Sequence, residues 1–73
     1  MIDFALRGEH ITLDALLKAT GLAASGGAAK VLIAEGGVNV NGAAELRRGR
    51  KLRAGDEVSL GDGDARVRVL PGA

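Results

Sequence analysis

The sequence predicts an α+β domain, with two short helices packed on one face of a small and mostly antiparallel sheet. Three observations support this class: apolar and polar residues alternate near the start, apolar residues then recur at helical spacing, and the two-residue alternation returns in the second half. The chain has 73 residues, no cysteine and one aromatic residue, so its core must be small and aliphatic. We therefore expect one domain over residues 1–73, with a short tail at 71–73.

The first strand is predicted near the start of the chain. Ile2, Phe4 and Leu6 alternate with less apolar residues, which indicates a strand with one buried face, and Gly8 ends the run. Charged residues interrupt this apolar run, so no signal peptide is predicted. No stretch has the length and apolarity of a membrane span, and we expect a cytoplasmic protein.

A first helix is predicted to start after Thr12 and to end at Gly21. Thr12 stands where an N-cap residue belongs, and Asp14 lies in the first turn, near the positive end of the helix dipole. The apolar residues that follow recur at helical spacing: Leu13, Leu16 and Leu17.

A second helix is predicted from Ser25 to the pair Gly36-Gly37. The Ser25 hydroxyl can accept a backbone N–H at the start of the helix, and glycine is frequent just beyond a helix end. Gly26 and Gly27 follow Ser25 directly, and two interpretations of them stay open. They either leave backbone N–H groups open to a phosphate or allow the helix to pack closely on its neighbour.

Short strands are predicted to fill the second half of the chain. Val38 and Val40 share one face, and Asn41-Gly42 is typical of a type I′ hairpin turn, which needs positive φ at both residues. A return strand starts at Ala43, and two further alternating runs complete the sheet: residues 58–60 and 65–69.

Few residues of this chain are suited to catalysis or metal binding. His10 is the only histidine, there is no cysteine, and no serine stands in a nucleophile motif. The run Asp62-Gly63-Asp64 offers two carboxylates but lacks the further ligands of a calcium loop, so we interpret it as a turn. We expect no enzyme activity, no cofactor, and neither a small-molecule substrate nor a membrane as partner.

The clearest functional feature is the concentrated positive charge at residues 47–53, here called the basic segment. The whole chain has ten Lys and Arg against nine Asp and Glu, yet half of the cations lie in this segment, which contains no acid. Arginine side chains suit bidentate phosphate contacts, so we favour polyanion binding over a solubilising surface loop. Leu46 and Leu52 flank the cations and are expected to turn inward. The cations are Arg47, Arg48, Arg50, Lys51 and Arg53.

The near absence of aromatic residues narrows the choice of polyanion. Proteins that read single-stranded RNA stack its bases on aromatic side chains, and Phe4 is the only one in this chain. Contacts with the phosphates and the shape of a folded RNA remain, so we expect binding to structured RNA. We also expect a monomer. The alternative is an adaptor whose basic segment docks an acidic surface of a ribosome-associated or RNA-processing protein.

From Thr12 to Leu60 the chain resembles the RNA-binding domain named after ribosomal small-subunit protein S-four, also called the alpha-L motif. The resemblance rests on Ser25, on Gly55-Asp56, and on the run Glu35-Gly36-Gly37-Val38-Asn39-Val40-Asn41-Gly42. The basic segment and its flanking leucines look like those of the small stand-alone bacterial YbcJ-type members, which consist of little besides this domain.

The resemblance implies RNA binding through the face formed by the two helices and the adjacent hairpin loop. We expect this RNA to be ribosomal RNA or tRNA. Lys30 matches a basic position of the family, whereas Gly26 and Gly27 stand where many relatives have two arginines. We hypothesise that backbone N–H groups and the basic segment take over part of that role. The candidate RNA-binding residues are Lys30, Arg47, Arg48, Arg50, Lys51, Gly26 and Gly27, with Lys18 and Arg53 at the periphery.

Overall fold

The computed structural model describes residues 1–61 and 63–72, and it confirms the α+β class. Two of its two-residue strands, at residues 11–12 and 51–52, are not expected from the sequence, because two residues carry no readable alternation. The helices are α1 (Leu13–Ala19) and α2 (Gly26–Ala34). The strands are β1 (Ile2–Ala5), β2 (Ile11–Thr12), β3 (Val38–Val40), β4 (Ala43–Ala44), β5 (Lys51–Leu52), β6 (Glu57–Leu60) and β7 (Ala65–Leu70).

One sheet contains five of these strands, in the spatial order β1-β7-β6-β3-β4. Neighbouring strands are antiparallel except β1 and β7, which run parallel. The register aligns Val40 with Val58 and Val58 with Val67, so these valines lie on one face of the sheet. β1 is an edge strand, and its apolar face is less buried than predicted: Phe4 is half-buried and Ile2 is 38% exposed.

The core lies between the valine-bearing face of the sheet and the two helices. Both helices contribute to the same buried cluster as these valines, so both helices lie on one face, as predicted. Phe4 packs against the cluster from the edge strand. Burial of an aliphatic side chain contributes about 1.5–3 kcal/mol relative to its exposure, so this cluster is the main source of stability. The buried helical residues are Leu13, Leu16, Leu17, Ala29 and Ile33.

A second, two-stranded sheet joins the start of α1 to the basic segment. β2 and β5 are antiparallel, with Ile11 opposite Leu52 and Thr12 opposite Lys51. Leu52 is fully buried, as predicted, and belongs to the core cluster. The pairing brings residues about forty positions apart in sequence side by side, so it depends on the folding of the whole domain.

The two helix starts are capped in different ways. The Ser25 Oγ accepts the Ala28 N–H at 3.1 Å, which confirms the predicted N-cap of α2. Thr12 is the N-cap residue of α1, as predicted, but its side chain makes no cap hydrogen bond. The reason is that the basic segment lies across the start of α1, and its main-chain carbonyls accept the first N–H groups of the helix.

Glycine is required at the end of α2 but not at its start. Gly36 has φ +79°, a left-handed conformation, and it follows the C-cap residue Glu35. Gly36→Ala should lower the free energy of unfolding by about 1 kcal/mol, because a side chain is strained in that conformation. The measurement is urea denaturation followed by circular dichroism.

Gly27→Ala is the matched control at the other end of the same helix. A Cβ at this position would meet only the Ser25 Oγ, at 3.8 Å, and φ is not left-handed. The free energy of unfolding should therefore be unchanged or slightly raised. Equal losses in the two variants would contradict this account of the helix ends.

Candidate nucleic-acid interface

The main chain of the basic segment is held against the rest of the domain. The Leu13 N–H donates to the Arg50 carbonyl at 2.9 Å, and the Asp14 N–H donates to the Arg48 carbonyl at 3.1 Å. The Arg53 N–H donates to the Asp56 carboxylate at 2.8 Å. The cations therefore extend from an ordered main chain, which reduces the entropy lost when they meet a ligand.

Glu45, just before the basic segment, is the residue that organises its side chains. It is 7% exposed, and its N–H donates to the Val38 carbonyl at 3.0 Å. Its carboxylate accepts from Arg47 Nε at 3.2 Å, Arg47 Nη2 at 3.3 Å and Arg50 Nη1 at 2.9 Å. The backbone N–H of Arg47 also donates to it, at 3.1 Å. One buried carboxylate thus holds two of the predicted phosphate-binding arginines.

These contacts shift the pKa values of Glu45 and Arg47. The side-chain hydrogen bonds from Arg47 and Arg50, together with the Arg47 N–H, lower the pKa of Glu45 from 4.5 to about 2. The same carboxylate raises the pKa of Arg47 above its ordinary value. Glu45 is therefore a carboxylate, and Arg47 is charged beside it, across the physiological pH range.

The inward position before the basic segment belongs to Glu45 and not to Leu46. Leu46 is 64% exposed, so the prediction that it turns inward is wrong. Glu45 is the buried one of the two residues, at 7% exposed. The sequence feature that indicates this contact is an acid two residues before Arg47. A search for buried apolar residues does not consider it.

A second carboxylate ties the end of the basic segment to the β3–β4 hairpin. The Asn41 amide donates to Asp56 at 3.0 Å, and Asn41 has φ +51° in the predicted turn with Gly42. Partial burial acts to raise the pKa of Asp56, but the Arg53 N–H, the Asn41 amide and the charges of Arg50 and Arg53 lower it below its ordinary value. This network fixes the hairpin turn next to the basic segment.

The predicted site residues differ in their surroundings. Arg47, Arg50 and Lys51 line an open hollow together with Gly49. Arg48 and Lys51 are exposed, and neither side chain has a hydrogen-bond or ion-pair partner among the residues that the structure describes. The side chain of Arg47 is 77% exposed despite its contact with Glu45, whereas that of Arg50 is 34% exposed.

The helical candidates lie on exposed positions of the helix pair. Lys18 is in the last turn of α1, Lys30 is in α2, and α1 packs against α2. In residues 1–61 and 63–72, no hydrogen bond or ion pair joins either lysine to the basic segment. Gly26 and Gly27 are exposed, and a Cβ at Gly26 would meet nothing within 4 Å. The close-packing interpretation of these glycines is therefore wrong.

Other kinds of site find little support in the described residues. They contain no group of three or more His, Cys, Asp and Glu that could hold a metal ion. No helix in this part of the chain has the length and apolarity needed to cross a membrane. His10 is exposed. The predicted turn at residues 62–64 includes Asp62, which lies outside the described residues.

Acid should remove the stabilisation that Glu45 contributes. Its pKa is about 2 in the folded state against 4.5 ordinarily, so this contribution is complete above pH 4.5 and is lost as the pH falls through about 2. The difference in free energy of unfolding between wild type and Glu45→Gln should shrink over that interval in urea denaturation. Glu57→Gln is the control, because its contact with Arg66 is longer, at 3.4 Å, and more exposed. A difference for Glu45→Gln that stays constant with pH would contradict this prediction.

Comparisons with known proteins agree with the resemblance drawn from the sequence. The chain is 46% identical over 61 residues to the Escherichia coli (strain K12) protein named "Putative RNA-binding protein YbcJ", which covers 82% of this chain and 87% of the relative. It is equally similar to the Shigella flexneri protein named "Uncharacterized protein YbcJ". It is 46% identical over 52 residues to the Bacillus subtilis (strain 168) "Probable ribosome maturation protein RlbA", covering 71% of this chain and 73% of the relative.

A family model confirms this relationship over most of the fold. The model described as the S4 domain matches residues 4–68, which include both helices and all strands except the ends of β1 and β7. Two curated relatives have almost the same extent as the chain, so the similarity is not confined to a short motif. The chain belongs to the S4 domain family.

Proposed function

We propose that this chain is a non-enzymatic cytoplasmic module that binds structured RNA, either ribosomal RNA or tRNA, through contacts with its phosphates and its shape. The observation that carries the proposal is the basic segment, whose cations extend from a main chain hydrogen-bonded to α1 and to Asp56. The names of two relatives, one an RNA-binding protein and one a ribosome maturation protein, support the same function.

The arginines paired with Glu45 keep donors for a phosphate. A guanidinium carries five N–H groups in a planar fork. Arg47 uses Nε and Nη2 toward Glu45, which leaves Nη1 open, and Arg50 uses Nη1, which leaves Nη2 and Nε open. Each arginine can therefore contact the carboxylate on one side and a phosphate on the other. Arg48 and Lys51 add two exposed cations beside them.

The remaining candidates extend the proposed interface over the helix pair. Lys18 and Lys30 are exposed cations, and Arg53 is exposed at the far end of the basic segment. Gly26 and Gly27 are exposed at the start of α2, where main-chain N–H groups and the helix dipole favour an anion. We assign these residues a supporting role, because none of them forms a hydrogen bond with the Glu45 carboxylate.

The absence of an aromatic surface supports a structured target over an unstructured strand. Phe4 is half-buried and packs against the core, so it offers no platform on which bases could stack. Without stacking, affinity must come from phosphate contacts and from the match between the cations and the spacing of phosphates in the RNA. A folded RNA provides fixed phosphate positions, whereas a flexible strand does not.

One observation favours the alternative function, an adaptor that docks an acidic protein surface. Leu46 is 64% exposed beside the basic segment, and an apolar side chain among cations suits a protein interface. Purification from cells separates the two functions. Nuclease-sensitive material that absorbs at 260 nm supports RNA binding, whereas a stoichiometric protein partner that resists nuclease supports the adaptor.

Removal of the exposed cations Arg48 and Lys51 should weaken RNA binding through the loss of two phosphate contacts. With about four phosphate contacts, the logarithm of wild-type affinity should fall with the logarithm of salt concentration with a slope of about −3 to −4. The double variant Arg48→Ala with Lys51→Ala should reduce the steepness of this slope by about 2. The measurement is fluorescence anisotropy with bacterial tRNA and with a 16S ribosomal RNA transcript.

The matched control for this experiment is Arg68→Ala. Arg68 is an exposed arginine on the face of β7 opposite the buried valines, so it carries a positive charge on the other face of the sheet from the core. Its removal should leave the slope nearly unchanged. A wild-type slope near zero, or an equal effect of Arg68→Ala, would contradict the proposed interface.

A further inference from the structure

Glu45 is a buried acid at the centre of a cationic surface, which is an unexpected position for a negative charge in a protein that binds polyanions. We infer that Glu45 is a positioning residue that makes the basic segment prefer structured RNA over an unstructured strand. This inference rests on the proposed function and identifies the residue that sets its selectivity.

Glu45 links two arginine side chains to the sheet. Glu45 accepts three side-chain hydrogen bonds, two from Arg47 and one from Arg50, at 2.9–3.3 Å. It also accepts the Arg47 backbone N–H, and its own N–H is bonded to the Val38 carbonyl of β3. The two guanidinium groups are therefore connected to the sheet through one side chain. Long, exposed arginines would otherwise sample many rotamers.

Glu45 also lowers the net positive charge next to the basic segment. The carboxylate cancels one of the five positive charges of the basic segment and so weakens its attraction for any polyanion. Charge alone would therefore favour another residue at this position. A fixed arrangement of two guanidinium groups offsets this loss only when the phosphates of the ligand have matching fixed positions. Glu45 thus lowers affinity for a flexible strand more than affinity for a folded RNA.

The Glu45 side chain has a role distinct from the packing of the apolar core. In the described residues, the side chain of Glu45 forms hydrogen bonds only with Arg47 and Arg50, and its backbone bond to Val38 does not depend on its side chain. The apolar core does not include Glu45. Its side chain therefore serves the arginines rather than the packing of the helices on the sheet.

The test compares wild type with Glu45→Gln, which keeps the size of the side chain and removes its charge. Dissociation constants are measured by anisotropy across a range of salt concentrations. Wild type is first tested with bacterial tRNA and with a 16S ribosomal RNA transcript, and the RNA that it binds more tightly is the structured probe. The other probe is poly(U) of matched length. Circular dichroism melting shows whether each variant is folded.

We expect wild type to bind the structured probe more tightly than poly(U). In Glu45→Gln, the ratio of the two dissociation constants should shrink about tenfold, because charge-assisted hydrogen bonds hold the arginines in place in wild type. Poly(U) should bind Glu45→Gln more tightly than it binds wild type, with a salt slope steeper by about 1. The matched control is Glu57→Gln, which removes one negative charge from the Arg66 ion pair and should keep the wild-type preference.

Each contrary result has a distinct meaning. A wild-type preference retained in Glu45→Gln, or an equal loss in Glu57→Gln, overturns the role of Glu45 and leaves the proposed function intact. A wild type that does not prefer structured RNA overturns the proposed function and the inference together. If Glu45→Gln does not fold, Glu45→Asp replaces it, because its shorter side chain keeps the charge but cannot hold both arginines in place. A wild-type preference in that variant then overturns the inference.

Discussion

The contact between the start of α1 and the basic segment is the interaction on which the rest of the site depends. The first N–H groups of a helix have no partners within it, and a buried helix start needs acceptors from elsewhere. Here the carbonyls of Arg48 and Arg50 supply them, next to the β2–β5 pair. A segment that carries five cations is thereby part of the folded domain.

This arrangement uses different parts of the same residues for stability and for recognition. The main chain of the basic segment faces inward and completes α1, while the side chains of Arg48 and Lys51 face solvent. Leu52 anchors the segment in the core. A change in a cationic side chain can therefore alter ligand affinity without removing the backbone bonds that hold the helix.

Local patterns in the sequence predicted much of the fold. The Ser25 cap, the valine alternation of β3 and the turn at Asn41-Gly42 are confirmed, since each depends on a few neighbouring residues. The inward orientation of Leu46 is wrong, because its neighbour Glu45 is the buried residue there. Thr12 is the N-cap residue of α1 as predicted, but carbonyls distant in sequence accept the first N–H groups of the helix. The residues that contact RNA stay a prediction.

The sequence by itself determined the class of fold, the family and the place of the positive charge, because apolar periodicity, turn residues and charge clusters are local properties. Only the tertiary structure decided how that charge is presented. The pairing of β2 with β5 requires a folded core, and the bond from the Glu45 N–H to the Val38 carbonyl fixes the carboxylate that Arg47 and Arg50 share. A net charge of +1 describes the chain as a whole. The folded structure orders two of the positive groups, the guanidinium groups of Arg47 and Arg50, around the Glu45 carboxylate.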